Sequence, residues 1–113
     1  MNLKEAKAEW PVLLEDCYDY SIPPGWSSVV EDLMEALSID TGVRVMQAKV
    51  KMADLRVYCQ TATDDRAEKL INAADEKCRH TCEDCGVSDD TVKTRGGNWL
   101  HVRCEKCDEK AKS

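Results

Sequence analysis

Apolar residues recur along the chain at changing periods, and each change marks an element. Leu3, Ala6, Trp10, Leu13, Leu14 and Cys17 fall at helical spacing, but Pro11 removes an internal hydrogen-bond donor. A broken first helix docking through Trp10 and Leu14 is expected. Ser21-Ile22-Pro23-Pro24-Gly25 is stiff and donor-poor and reads as a linker. Beyond it, Ser28 and Glu31 have the form of a capping box, and Val29, Val30, Leu33, Met34 and Leu37 make one stripe of a second helix. After Gly42, the phase of alternation changes between Val43, Val45 and Met46, Ala48, Val50, which predicts a bulged strand. Leu55, Val57 and Cys59 alternate cleanly with Arg56, Tyr58 and Gln60, so the two runs form an antiparallel hairpin across Met52-Ala53-Asp54. Asp64 or Asp65 can cap a third helix with Ala67, Leu70, Ile71 and Ala74 on its apolar side. The expected fold class is α+β: a small helix–helix–β-hairpin–helix core over residues 1–77, followed by a C-terminal four-cysteine zinc ribbon over residues 78–113. Residues 1–24 are its N-terminal helix and linker.

Spacing gives the last third its chemistry. Cys82-Glu83-Asp84-Cys85 and Cys104-Glu105-Lys106-Cys107 are two C-x-x-C pairs at zinc-site separation. Each can form a knuckle presenting two sulfurs, and two knuckles close a tetrahedron around structural Zn²⁺. Gly86 suits the tight turn after the first, and Gly96-Gly97 the turn of a ribbon hairpin returning through residues 98–103. Val87, Val92, Trp99, Leu100 and Val102 supply little other core, whereas a structural zinc contributes on the order of 10 kcal/mol of apparent folding free energy. Redox chemistry fits two ribbon-spaced pairs poorly, and four thiolates leave no open position for catalytic water. Cys17 and Cys59 read as small buried residues, with Cys78 a less favoured alternative ligand.

Charge then divides the chain. The net charge is -6 over 113 residues, and the acidity belongs to the first third. Glu15, Asp16, Asp19, Glu31, Asp32 and Glu35, with Trp26, are candidate partner-binding residues: a negative surface able to dock on a basic, nucleic-acid-handling protein. A solvated helix face is the plainer alternative, and Trp26, like Tyr18 and Tyr20, suits a core without Phe equally well. Lys93, Arg95, Trp99 and Arg103 are the candidate nucleic-acid contacts, by phosphate grip and base stacking. The balanced charge of the last third weakens that reading. No apolar run reaches the roughly 18 residues of a spanning helix, and residues 1–7 lack a signal peptide's apolar stretch, so a cytoplasmic protein is expected.

Two resemblances follow from these motifs. Gly25-Trp26, Gln47-Ala48-Lys49, Leu55-Arg56-Val57-Tyr58 and Thr81-Cys82-Glu83-Asp84-Cys85-Gly86 together resemble a family of small phage and prophage zinc-ribbon proteins without an assigned reaction. Met52-Ala53-Asp54 departs from that family's Phe-Gly type turn. The resemblance implies a phage origin. Taken with the closed metal site, the acidic first third and the lack of a catalytic constellation, it leads to the expectation of a binding protein that docks on a host protein, as an anti-CRISPR-like inhibitor of a defence complex or of a nucleic-acid-processing one. The finger alone is similar to the DksA/TraR type, which implies an RNA-polymerase-binding regulator as the alternative. Residues 96–104, with His101, resemble the second zinc knuckle of HNH nucleases but lack the Asp-His or His-His pair of those enzymes. His80 reads as a surface residue, and no enzyme is expected.

Overall fold

The structure is a computed structural model, and it describes residues 1–60, 65–97 and 99–112. In chain order the elements are α1 (Leu3–Glu9), β1 (Asp19–Ser21), a 3-10 turn (Pro24–Trp26), α2 (Ser27–Asp40), β2 (Val45–Lys51) and β3 (Asp54–Cys59). Then come α3 (Asp65–Arg79), β4 (Lys93–Arg95), β5 (His101–Arg103) and α4 (Glu105–Lys112). The fold is α+β.

An unforeseen capping box starts α1. The Asn2 side chain accepts from the Glu5 amide at 2.9 Å, and the Asn2 amide donates back to the Glu5 carboxylate at 3.0 Å. Pro11 ends the helix, as its missing donor requires. The chain continues in turns closed by Leu14 N–H to Trp10 O at 3.0 Å and Cys17 N–H to Leu14 O at 3.1 Å. Trp10 and Leu14 are both buried.

Two local expectations are corrected here. Asp19–Ser21 is a strand that pairs in parallel with β2, so Ser21, read as the linker's first residue, belongs to the sheet. Ser28 is not a helix cap: α2 runs directly out of the 3-10 turn, with Trp26 at the cap position and no side-chain cap bond. The turn itself supplies the acceptors, Pro23 O for Trp26 N–H and Pro24 O for Ser27 N–H. Pro24, with φ already set, starts that turn at no cost in donors. Of the two residues proposed to cap α3, Asp65 is its first residue and Asp64 lies outside the described residues.

The sheet has the order β1-β2-β3, β1–β2 parallel and β2–β3 antiparallel. Its register shifts between Val45 and Gln47, a bulge at the change of phase seen in the sequence. Beyond the bulge, Ala48↔Val57 and Val50↔Leu55 form the core side, while Gln47↔Tyr58, Lys49↔Arg56 and Lys51↔Asp54 form the outer side. Val30, Leu33, Met34 and Leu37 of α2 and Ala67 and Ala74 of α3 close the core.

Only Met52 and Ala53 lie between β2 and β3, at φ 51° and 66°. Both residues of such a turn occupy the left-handed region, where Asn-Gly is the usual choice. A Cβ there costs about 1–2 kcal/mol per residue. Ala53 is buried and recovers part of that cost, but Met52 is exposed and recovers little.

Candidate metal centre and the surfaces around it

The first cysteine pair follows α3 through Thr81, whose hydroxyl donates to Lys77 O at 2.7 Å. Cys82 N–H donates to Val87 O at 2.8 Å and Gly86 N–H to Cys82 O at 2.9 Å, folding residues 82–87 into a knuckle. Gly86 takes φ 83°, as that turn demands. The second pair is placed differently from a ribbon knuckle. Cys104 precedes α4 and caps it, its sulfur accepting from Cys107 N–H at 3.5 Å, and Cys107 lies in the first helical turn. A knuckle, a two-stranded hairpin and a helix therefore hold the four cysteines. The α4 sequence is almost wholly polar and carries no apolar stripe from which a helix could be foreseen.

Strand β5 brings the pairs together. Glu83 N–H donates to Val102 O at 2.8 Å, and Val102 N–H donates to the Glu83 carboxylate at 2.7 Å. Both backbone groups of a fully buried residue are thus tied to the first knuckle, and Cys104 follows two positions later. Arg103 adds an ion pair to Asp84 at 2.9 Å. The four ligand atoms of Cys82, Cys85, Cys104 and Cys107 lie within 4.8 Å of one another. Cys85 and Cys104 sulfurs are 3.7 Å apart. A tetrahedral ion with bonds of about 2.3 Å separates its sulfurs by about 3.8 Å, while a disulfide would bring them to about 2.0 Å. All seven cysteines are free thiols.

The electrostatics also fit a cation. Burial raises the Cys82 thiol, but donors from the Cys85, Cys104 and Asp84 backbone outweigh it and bring it down to about 7. Hydrogen bonding to Cys104, then burial, pushes Cys107 up to about 12. One thiolate is favoured and a second is opposed, so ionising all four would require a cation at their centre. Cys78 stands outside the cluster, fully buried, where burial and then Asp75 push its thiol up to about 12. Cys17 is buried and Cys59 half-buried; burial raises the thiols of both.

Residues 23–26 seat the knuckle on the core. Gly25 N–H donates to Glu83 O at 2.7 Å, and Trp26 Nε1–H donates to Thr81 O at 2.8 Å. Trp26 is fully buried, so it is a core residue, not the surface anchor its place in the acidic segment suggested. An indole whose N–H finds a partner can plug a core without Phe. Pro-Pro-Gly signals only a break in the sequence; the close approach that demands Gly25 has no local signature.

The acidic candidates are dispersed. Glu15 pairs with Arg44, and Glu35 accepts from Trp10 Nε1–H at 2.8 Å, so both tie segments of this chain together. Asp19 accepts from the Ser21 hydroxyl at 2.6 Å, and Asp16 is exposed. Glu31 and Asp32 line a cleft of about 460 Å³ whose other wall includes Cys85 and Gly86.

On the finger, Lys93, Arg95, His101 and Arg103 share one face of the β4–β5 hairpin. Arg95 donates to Arg103 O at 3.1 Å and Thr91 O at 2.7 Å and lies 3.7 Å from Asp108. Both guanidiniums of the nucleic-acid candidate set thus have partners within the finger, whereas Lys93 and Trp99 are exposed. His101 Nδ1 is 3.2 Å from the Glu83 carboxylate, a structural partner that carried no signal beyond its place between two cysteines. His80 is exposed, 3.1 Å from Glu76. No described helix is long and apolar enough to cross a membrane. Comparison of the chain with family models, with curated proteins and with solved structures finds no match.

Proposed function

We propose that this is a zinc-stabilised, non-enzymatic binding protein of phage type. It acts in the host cytoplasm by occupying a basic surface of a host protein, such as a defence or nucleic-acid-processing complex. The observation that carries this reading is the four-thiol set beside an acidic cleft. Four protein sulfurs fill a tetrahedral shell and leave no position for substrate or water, so the ion's work is structural. A Zn²⁺ with four thiolates keeps two net negative charges, and Cys85 shares its cleft with Glu31 and Asp32. Negative potential is therefore concentrated where α2 meets the knuckle, which suits a cationic partner. The phage origin rests on the resemblance of residues 25–107 described above.

Capture from host lysate by zinc-loaded wild type and by a Glu31→Lys, Asp32→Lys variant, with the retained proteins identified, tests the reading. A discrete partner held by wild type and lost by the variant is expected. Equal capture by both removes the acidic cleft from the account.

A further inference from the structure

A second concavity, of about 460 Å³, lies between the β2–β3 turn and the finger. Val50, Met52 and Ala53 form one wall and Trp99, Leu100 and His101 the other, with Glu83, already tied to Val102 and His101, also in the lining. Val50, Ala53 and Leu100 pack on the core, so the groove opens directly over buried apolar material. Its two largest apolar side chains are left in solvent: Met52 is 70% and Trp99 77% exposed. Methionine and tryptophan are enriched at protein interfaces, and Trp is a frequent hot spot. Met52 also stands in the left-handed region without burial to offset it, a strained placement of the sort that accompanies binding sites.

Charge identifies the occupant. Lys51 is at the groove, and Lys49 and Arg56 continue from it on the outer side of the sheet, directly opposite one another. Like charges so placed repel. The acids nearby already have partners: Asp54 is 3.4 Å from Arg79 and 3.5 Å from Arg56, Glu83 accepts from Val102 N–H and faces His101, and Asp19 holds Ser21, which leaves Lys49 and Lys51 as the cations of this strip without an ion pair to a described residue. Aliphatic walls beside a cationic strip fit an aliphatic or aromatic side chain with neighbouring carboxylates. A nucleic acid fits less well, since Arg95 and Arg103, the arginines nearest Trp99 in sequence, are turned onto partners in their own finger.

We propose that the groove between Met52 and Trp99 receives a large apolar side chain from an acidic segment of a partner protein, with the segment's carboxylates on Lys51 and Lys49. This surface is separate from the acidic cleft and stands whether or not that cleft binds anything. The test is a titration of the zinc-loaded full chain, followed by Met methyl and Trp indole NMR. The probe is a short synthetic peptide with a central Leu-Phe pair flanked by glutamates; the controls are a lysine-flanked peptide, one with Ala-Ala at the centre, and oligo-dT. Saturable shifts at Met52 and Trp99 are expected with the first peptide alone. Trp99→Ala and Met52→Asn should each weaken it about tenfold or more, and Lys49→Glu, which sets a carboxylate opposite Arg56, should weaken it without lowering the melting temperature. Met52→Asn should also raise that temperature, because Asn suits the left-handed turn. Loss of binding with a gain in stability is a combination that a merely structural Met52 cannot produce. The proposal is overturned if the glutamate-flanked peptide does not bind, if the Ala-Ala peptide binds equally, if Met52→Asn leaves affinity unchanged, or if oligo-dT takes the same residues.

Discussion

Replacing Gly25 with Ala probes how the knuckle is seated. A Cβ at Gly25 would stand 2.0 Å from Cys82 O, 2.6 Å from Glu83 C and 2.8 Å from Glu83 O. All three are backbone atoms, so relief requires the whole knuckle or the turn before α2 to move. Such a shift lengthens the 2.7 Å bond from Gly25 to Glu83 and the buried 2.8 Å bond from Trp26 to Thr81. Overpacking costs about 1–3 kcal/mol and a weakened bond about 1 kcal/mol more, so a loss of about 2–4 kcal/mol is expected. At about 4 °C per kcal/mol for a chain of this size, the melting temperature falls by about 8–16 °C. Thermal unfolding by far-ultraviolet circular dichroism measures this, and zinc release to a chelating dye should quicken in parallel. Gly42→Ala is the control, because its Cβ meets nothing within 4 Å; it should leave stability unchanged or raise it by up to about 1 kcal/mol. Equal melting temperatures for the two variants would refute the seating of the knuckle on Gly25.

Three further outcomes are expected. Tyr20 is pushed up to about 12 by burial and then by Glu31, and Cys78 to about 12 by burial and then by Asp75. Acids with raised folded pKa values contribute stability that is whole below their unfolded values and is lost as pH rises. Denaturant titrations should therefore show stability falling from about pH 9 to 12, by up to about 1.4 kcal/mol per pH unit for each group, and Cys78→Ala should flatten the slope. Glu35→Lys should destabilise by about 1–3 kcal/mol through the lost Trp10 bond, whereas Asp32→Lys should change stability by less than about 0.5 kcal/mol; chemical denaturation of both checks this. Glu83→Gln keeps an acceptor for Val102 N–H but loses the charge facing His101, so it should cost less than Glu83→Ala, which leaves a buried donor unpaired at about 1–3 kcal/mol.

Features set by side-chain pattern were legible in the sequence. Val30, Leu33, Met34 and Leu37 announce α2 and all four are buried; the change of phase at Met46 announces the bulge. The four cysteines announce their own cluster, because C-x-x-C spacing is itself the geometry of a shared ion. What escaped was set by long-range contact. Three residues of β1 are too few to show alternation, and their strand state comes from pairing with β2. Ser28 and Glu31 have the right letters for a cap, but the 3-10 turn before them had already satisfied the helix start. Glu105–Lys112 has the Glu, Lys and Ala of a good helix former but no apolar stripe to show it, and Cys104 caps it. Gly25 and Trp26 look like linker and surface aromatic locally, and only the returning knuckle makes them core.

The central claim is that one thiolate-bound zinc holds the finger together. Native mass spectrometry and elemental analysis, on protein purified without added metal, test it most directly when run beside Cys85→Ser. One zinc per chain in wild type, with loss of zinc and of finger structure in the variant, is the result the account predicts. A wild-type chain folded without metal, or a Cys85→Ser chain with an unchanged melting temperature, would contradict it.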